Sequence, residues 1–137
     1  MRVRDLGTSF ILLATVALAG CGSSPASPSN TSLNGTYSGA VQDSINGVGT
    51  LSAALAQNGS SVTGTYSVAY PVGNSSGSFT GSFGSGNLTG VLAPSNPLLC
   101  SSNLTGVVSQ DGTTITGNYA SFNCTGSESG NFTIVRH

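Results

Sequence analysis

Between Leu33 and His137 apolar residues return at every second position, separated by Thr, Ser and Asn, and each run is closed by a glycine-containing turn signal. A period of two marks a strand with one face buried and one face wet, whereas a helix would repeat every 3.6 residues; no helical repeat is sustained in this stretch. Eight strands are predicted: Gly35–Gln42, Gly49–Gln57, Ser61–Tyr70, Ser78–Phe83, Asn87–Ala93, Asn103–Ser109, Thr113–Phe122 and Asn131–Arg136. Asn46-Gly47, Asn58-Gly59 and Asp111-Gly112 tolerate the positive φ that tight hairpins require. Gly73-Asn74-Ser75-Ser76-Gly77 and Gly84-Ser85-Gly86 read as longer loops. Connections this short make every neighbouring pair antiparallel, which is a meander.

A loose motif recurs within the strands: an apolar residue, Thr or Asn, Gly, any residue, then Tyr. It appears at Leu33-Asn34-Gly35-Thr36-Tyr37, Val62-Thr63-Gly64-Thr65-Tyr66 and Ile115-Thr116-Gly117-Asn118-Tyr119. In an extended chain the apolar residue, the Gly and the Tyr share a face, so Val62, Gly64, Tyr66, Val68 and Tyr70 form one inward stripe while Thr63, Thr65 and Ser67 point outward. Glycine between bulky inward residues permits sharp bending or close approach of the opposite wall. The expected fold is all-β, a small antiparallel eight-stranded meander barrel, because closure removes the two exposed edges of a flat sheet. A two-sheet β-sandwich is the alternative.

Charge restricts function more sharply than fold. Charged residues make up 5% of the 137-residue chain and the net charge is −1, against about 25% charged in an average soluble protein. The cations are Arg2, Arg4 and Arg136, and the acids are Asp5, Asp43, Asp111 and Glu128. No basic patch for nucleic acid can be built from that set. Asp111 lies in a turn signal and Glu128 in Gly126-Ser127-Glu128-Ser129-Gly130; both are expected to be solvated loop charges, and no catalytic residues, metal ligands or cofactor site are expected.

Residues 1–20 have the build of an export signal, with a basic start at Arg2 and Arg4 and an apolar run from Phe10 to Ala19 that is too short to span a bilayer. Leu18-Ala19-Gly20-Cys21 resembles the lipobox of bacterial lipoproteins. That resemblance implies lipidation at Cys21, cleavage before it, and attachment to the cell envelope through the lipid anchor; Gly22 in place of Asp leans toward the outer membrane. Residues 21–32 contain no large apolar side chain and are expected to form a Gly/Ser/Pro tether. The all-β domain then covers residues 33–137. With Cys21 consumed by lipid, Cys100 and Cys124 remain as an even pair in an exported chain, which reads as a disulfide clipping the Pro94–Ser102 loop.

Gly35-Thr36-Tyr37 and Phe132-Thr133-Ile134-Val135-Arg136 are similar to the two ends of a calycin-type barrel, the group that holds lipocalins and avidins. The resemblance implies that Tyr37 stands where lipocalins carry Trp and that Arg136 packs on its ring at the closed end. The chain has no Trp, so the ring that lines an avidin biotin site is missing and biotin binding is not carried over. Taken whole, the chain resembles small Gly/Ser/Thr-rich bacterial lipoproteins. Tyr37, Tyr66, Tyr70 and Tyr119, with Phe79, Phe83 and Phe132, face inward. They either line a cavity for a small apolar ligand or, as favoured here, fill an interior just wide enough for its own side chains.

The functional expectation is a non-enzymatic binding or interaction module on the envelope, its partner a small apolar ligand, a glycan or an envelope protein. The alternatives are a structural envelope component and an inhibitor of an envelope-attacking hydrolase acting through Pro94–Ser102.

Overall fold

A computed structural model describes residues 31–137. The signal segment 1–20, Cys21 and tether residues 22–30 lie outside the described residues. Eight strands follow in order: β1 (Gly35–Asp43), β2 (Gly47–Asn58), β3 (Ser61–Tyr70), β4 (Gly73–Gly84), β5 (Asn87–Pro94), β6 (Ser102–Val108), β7 (Thr114–Ser121) and β8 (Ser129–Arg136). Each pairs antiparallel with the next, and β8 pairs back onto β1 in the register Tyr37↔Arg136 to Asp43↔Gly130. The sheet is a closed barrel, and the sandwich alternative is excluded.

Alternation sets the inside and the outside. Along β3, Val62, Tyr66 and Val68 are buried while Thr63, Thr65 and Ser67 are exposed. The exterior is therefore largely Thr, Ser and Asn around an apolar interior, the reverse of the lipid-facing band that a membrane-spanning barrel presents.

One strand departs from the sequence expectation. Gly73–Gly77 is not a loop: β4 begins at Gly73 after a two-residue turn at Pro71-Val72, and it pairs with β3 from Tyr70↔Gly73 to Ser61↔Ser82. The free backbone groups of Tyr66–Tyr70 require partners, and satisfying them outweighs the weak strand preference of Gly, Asn and Ser. The Gly84-Ser85-Gly86 loop is likewise a tight turn, with positive φ at both Ser85 (52°) and Gly86 (78°) between the paired Gly84 and Asn87, the pattern of a type I′ hairpin.

The glycine–aromatic motif has a packing explanation. Gly81 pairs with Gly90 and Gly106 with Gly117 across neighbouring strands. A Cβ on Gly81 or Gly90 would lie 2.7 or 2.6 Å from the Phe79 ring, and one on Gly117 would lie 2.9 Å from Phe132. Each ring fills the space left by facing glycines, so a narrow barrel accommodates aromatic side chains without overpacking.

One end of the barrel is closed. Leu33 is 0% exposed, with its backbone N–H donated to Gln57 Oε1 at 2.8 Å. Beside it Tyr37 donates to the Gly112 carbonyl at 2.9 Å, and Arg136 donates to the same carbonyl at 2.6 Å and to the Tyr37 hydroxyl at 3.1 Å. The guanidinium carbon lies 5.5 Å from the Tyr37 ring centroid. Gly112 adopts φ of 70° in the β6–β7 turn, and a Cβ there would meet the Arg136 guanidinium at 2.8 Å.

Candidate binding cavity and its acidic mouth

The opposite end is open, and from it a cavity of about 230 Å³ runs into the barrel. Its room comes from small inward residues on adjacent strands. Ser75 and Gly77 of β4 stand beside Val68 and Tyr66 of β3, and Ala53 of β2 faces the same space. The deep wall is apolar, formed by residues such as Leu55, Phe79, Leu88, Leu104, Ile115 and Phe132. The interior is thus filled at the closed end and hollow toward the mouth, which corrects the expectation of a wholly packed core.

The four tyrosines divide between the two ends. Tyr37 is buried at the closed end with Arg136, while Tyr66, Tyr70 and Tyr119 line the cavity. Burial raises the pKa of all three cavity tyrosines, and the bond to Asp43 adds to the effect at Tyr119. Phe79 and Phe132 belong to the cavity wall, and Phe83 is half-buried against the core.

Three strands and two connections bring a polar cluster to the mouth that sequence reasoning missed. Asp43 closes β1 and is only 4% exposed. Its Oδ1 accepts from the backbone N–H groups of Ile45 and Asn46 at 2.9 and 2.8 Å and from Asn46 Nδ2 at 3.0 Å, an arrangement that shapes the β1–β2 turn. Its Oδ2 accepts from the Tyr119 hydroxyl. With that proton committed, Tyr70 is the donor in its 3.3 Å contact with Tyr119. Burial alone would raise the Asp43 pKa, but the bonds from Tyr119, Asn46, Ile45 and Glu128 outweigh it and hold the carboxyl below its ordinary value.

Glu128 is not a solvated loop charge. It lies partly buried just before β8, with its backbone tied to Ser121 in both directions, and its carboxyl lines the cavity. Burial, then the hydrogen bond and negative charge of Asp43, push its pKa up to about 7. Below that value the pair holds one proton, on Glu128, with Asp43 ionised, and the proton is lost as pH rises through neutrality. Asn46 Nδ2 bridges the pair, reaching Glu128 Oε1 at 3.3 Å. Asp111, by contrast, is an exposed turn residue, as expected: it accepts from Ser109 Oγ at 2.6 Å and from the Thr113 hydroxyl and backbone N–H at 2.8 and 3.1 Å. These bonds hold its pKa at about 2.

The parity of the strands carried the signal for this cluster. Tyr37, Val41 and Asp43 share one face of β1, Ile115, Gly117 and Tyr119 one face of β7, and Ile134, Phe132 and Gly130 one face of β8, which extrapolates back to Glu128. Reading the acids by local loop composition concealed it.

The mouth has an apolar rim. Ile45, Val72, Leu98 and Leu99 are exposed on the connections at this end, and Val48 is exposed near the start of β2. Cys100 and Cys124 are bonded, tying the β5–β6 connection that carries Leu98 to the connection that carries Glu128. Among the described residues no group of three or more His, Cys, Asp or Glu is placed to hold a metal ion. No protein-family model matches the chain, and a search of curated proteins found no match.

Proposed function

We propose that this is a lipid-anchored protein of the bacterial envelope that holds a small, largely apolar ligand inside its barrel and performs no chemistry on it. The observation that carries the reading is the apolar cavity of about 230 Å³ open at one end. Its volume is below the ~300–1,000 Å³ of sites for drug-sized ligands, so the occupant is compact, a short alkyl chain or a single ring system. Leu33 packs at the closed end, so the chain leading from Cys21 joins the barrel away from the mouth and leaves the mouth unobstructed.

Native mass spectrometry of the full chain carrying Cys21→Ser, purified from the periplasm, tests the reading. An additional mass that is lost on denaturation is expected. A bare protein that also fails to take up 1-octanol would remove it.

A second reading is favoured by Leu98, which is 89% exposed on a connection held by the Cys100–Cys124 bond. A rigid loop with an apolar tip suits insertion into a protein partner, because little ordering entropy remains to be lost. Inhibition of an envelope-attacking hydrolase that survives replacement of residues 95–99 would exclude this loop.

A further inference from the structure

We infer that the cavity's ligand is a small cationic amphiphile, with its apolar body inside the barrel and a protonated amine at the mouth against the Glu128 carboxylate. The inference rests on the cavity reading above and names the class of ligand it takes.

Polarity along the cavity is segregated. Leu55, Phe79, Leu88 and Ile115 line its depth, whereas its one carboxyl group, on Glu128, lies at the mouth. Asp43 stands behind with four hydrogen bonds from protein donors and has no need of a ligand. Glu128 meets only Asp43 and Asn46 with its side chain. It is the carboxyl group with accepting capacity turned toward the cavity.

Charge sets the sign of the head group. Asp43 on β1, Tyr66 and Tyr70 on β3 and Tyr119 on β7 are the titratable groups around Glu128, with Asn46 as its amide partner, and none is cationic. Arg136 is at the far end, bound to Tyr37, Gly112 and Ser32. A carboxylate or phosphate head would face two acids with no counter-charge. An ammonium group gains a charge-assisted hydrogen bond and the faces of nearby tyrosine rings. On binding it displaces any proton that Glu128 carries, and that proton leaves to solvent.

The test uses the full chain carrying Cys21→Ser, so that no detergent competes, with n-octylammonium, 1-octanol and octanoate as probes followed by calorimetry. Measurements are made at about pH 5.5 and about pH 8.5, either side of the Glu128 value. At the higher pH n-octylammonium is expected to bind about tenfold or more tighter than 1-octanol, with octanoate weakest. At the lower pH that preference shrinks and binding releases a proton. Glu128→Gln erases the preference for n-octylammonium over 1-octanol; if that variant fails to fold, the pH dependence reads the same contact in the unaltered chain. Octanoate binding as tightly as n-octylammonium, or a preference that survives in Glu128→Gln, overturns the inference. Binding of 1-octanol with no preference for the amine overturns it while the cavity reading stands. No binding by any probe removes both.

Discussion

Tyr119 reaches Asp43 by lying over Gly130. The three residues form a row across β7, β8 and β1, because Gly130 pairs with Tyr119 on one side and with Asp43 on the other. A Cβ on Gly130 would sit 2.5 Å from both Cζ and the hydroxyl of Tyr119, and also 2.5 Å from the Gln42 carbonyl. Gly130→Ala must therefore displace the ring or the backbone. It is expected to cost about 1–3 kcal/mol as overpacking and to uncouple Tyr119 from Asp43, measured by urea unfolding together with the shift of the Asp43 carboxyl resonance.

Stability should peak on the acid side of neutrality. Glu128 is held at about 7 in the folded protein against an ordinary 4.5, so the folded state binds that proton more tightly. Its contribution is complete below 4.5 and is lost as pH rises through 7. Asp43 and Asp111 are lowered from 3.8. Their contributions are complete above 3.8 and are lost as pH falls. The maximum is expected at about pH 4–4.5, and Glu128→Gln should abolish the decline toward pH 7 while an acid limb from Asp43 and Asp111 persists. Thermal melts across pH for the two proteins check both parts.

The closed end depends on one cation. Arg136 satisfies the Gly112 carbonyl, the Tyr37 hydroxyl and the Ser32 carbonyl together. Arg136→Ala removes three hydrogen bonds from a charged donor, two of them part-buried, and is expected to cost roughly 2–3 kcal/mol. Tyr37→Phe removes only the hydroxyl and should cost about 1–2 kcal/mol. Because both residues lie outside the cavity wall, 1-octanol affinity should be unchanged in either variant, which separates stability from binding.

The Cys100–Cys124 bond spans a sequence separation of 24, and closing a loop of that length stabilises by ~3.5 kcal/mol on the chain-entropy model. Cys100→Ser with Cys124→Ser should lower stability by up to that amount without opening the barrel, because every strand pairing is made independently of it. Hydrogen exchange should quicken in the connections 95–101 and 122–128 and stay slow at the β1–β8 seam.

Alternation, turn glycines and the repeated glycine–tyrosine motif were sufficient to read eight antiparallel strands, the inward stripe of β3 and the all-β class directly from the residues. These features are local: side-chain direction in a strand has period two, and hairpin turns demand particular residues wherever they occur. The extent of β4 was not local, since Gly73–Gly77 become a strand only because Tyr66–Tyr70 present unpaired backbone beside them. The mouth was decided by closure alone. Asp43 lies 76 residues from Tyr119 in sequence, and only when β8 pairs with β1 does Gly130 stand between them as a gap that Tyr119 can cross. Closure likewise sets Ser75, Gly77 and Ala53 along one wall and leaves the barrel hollow there, because packing depends on the sum of side-chain volumes across all eight strands and not on the pattern of any one of them.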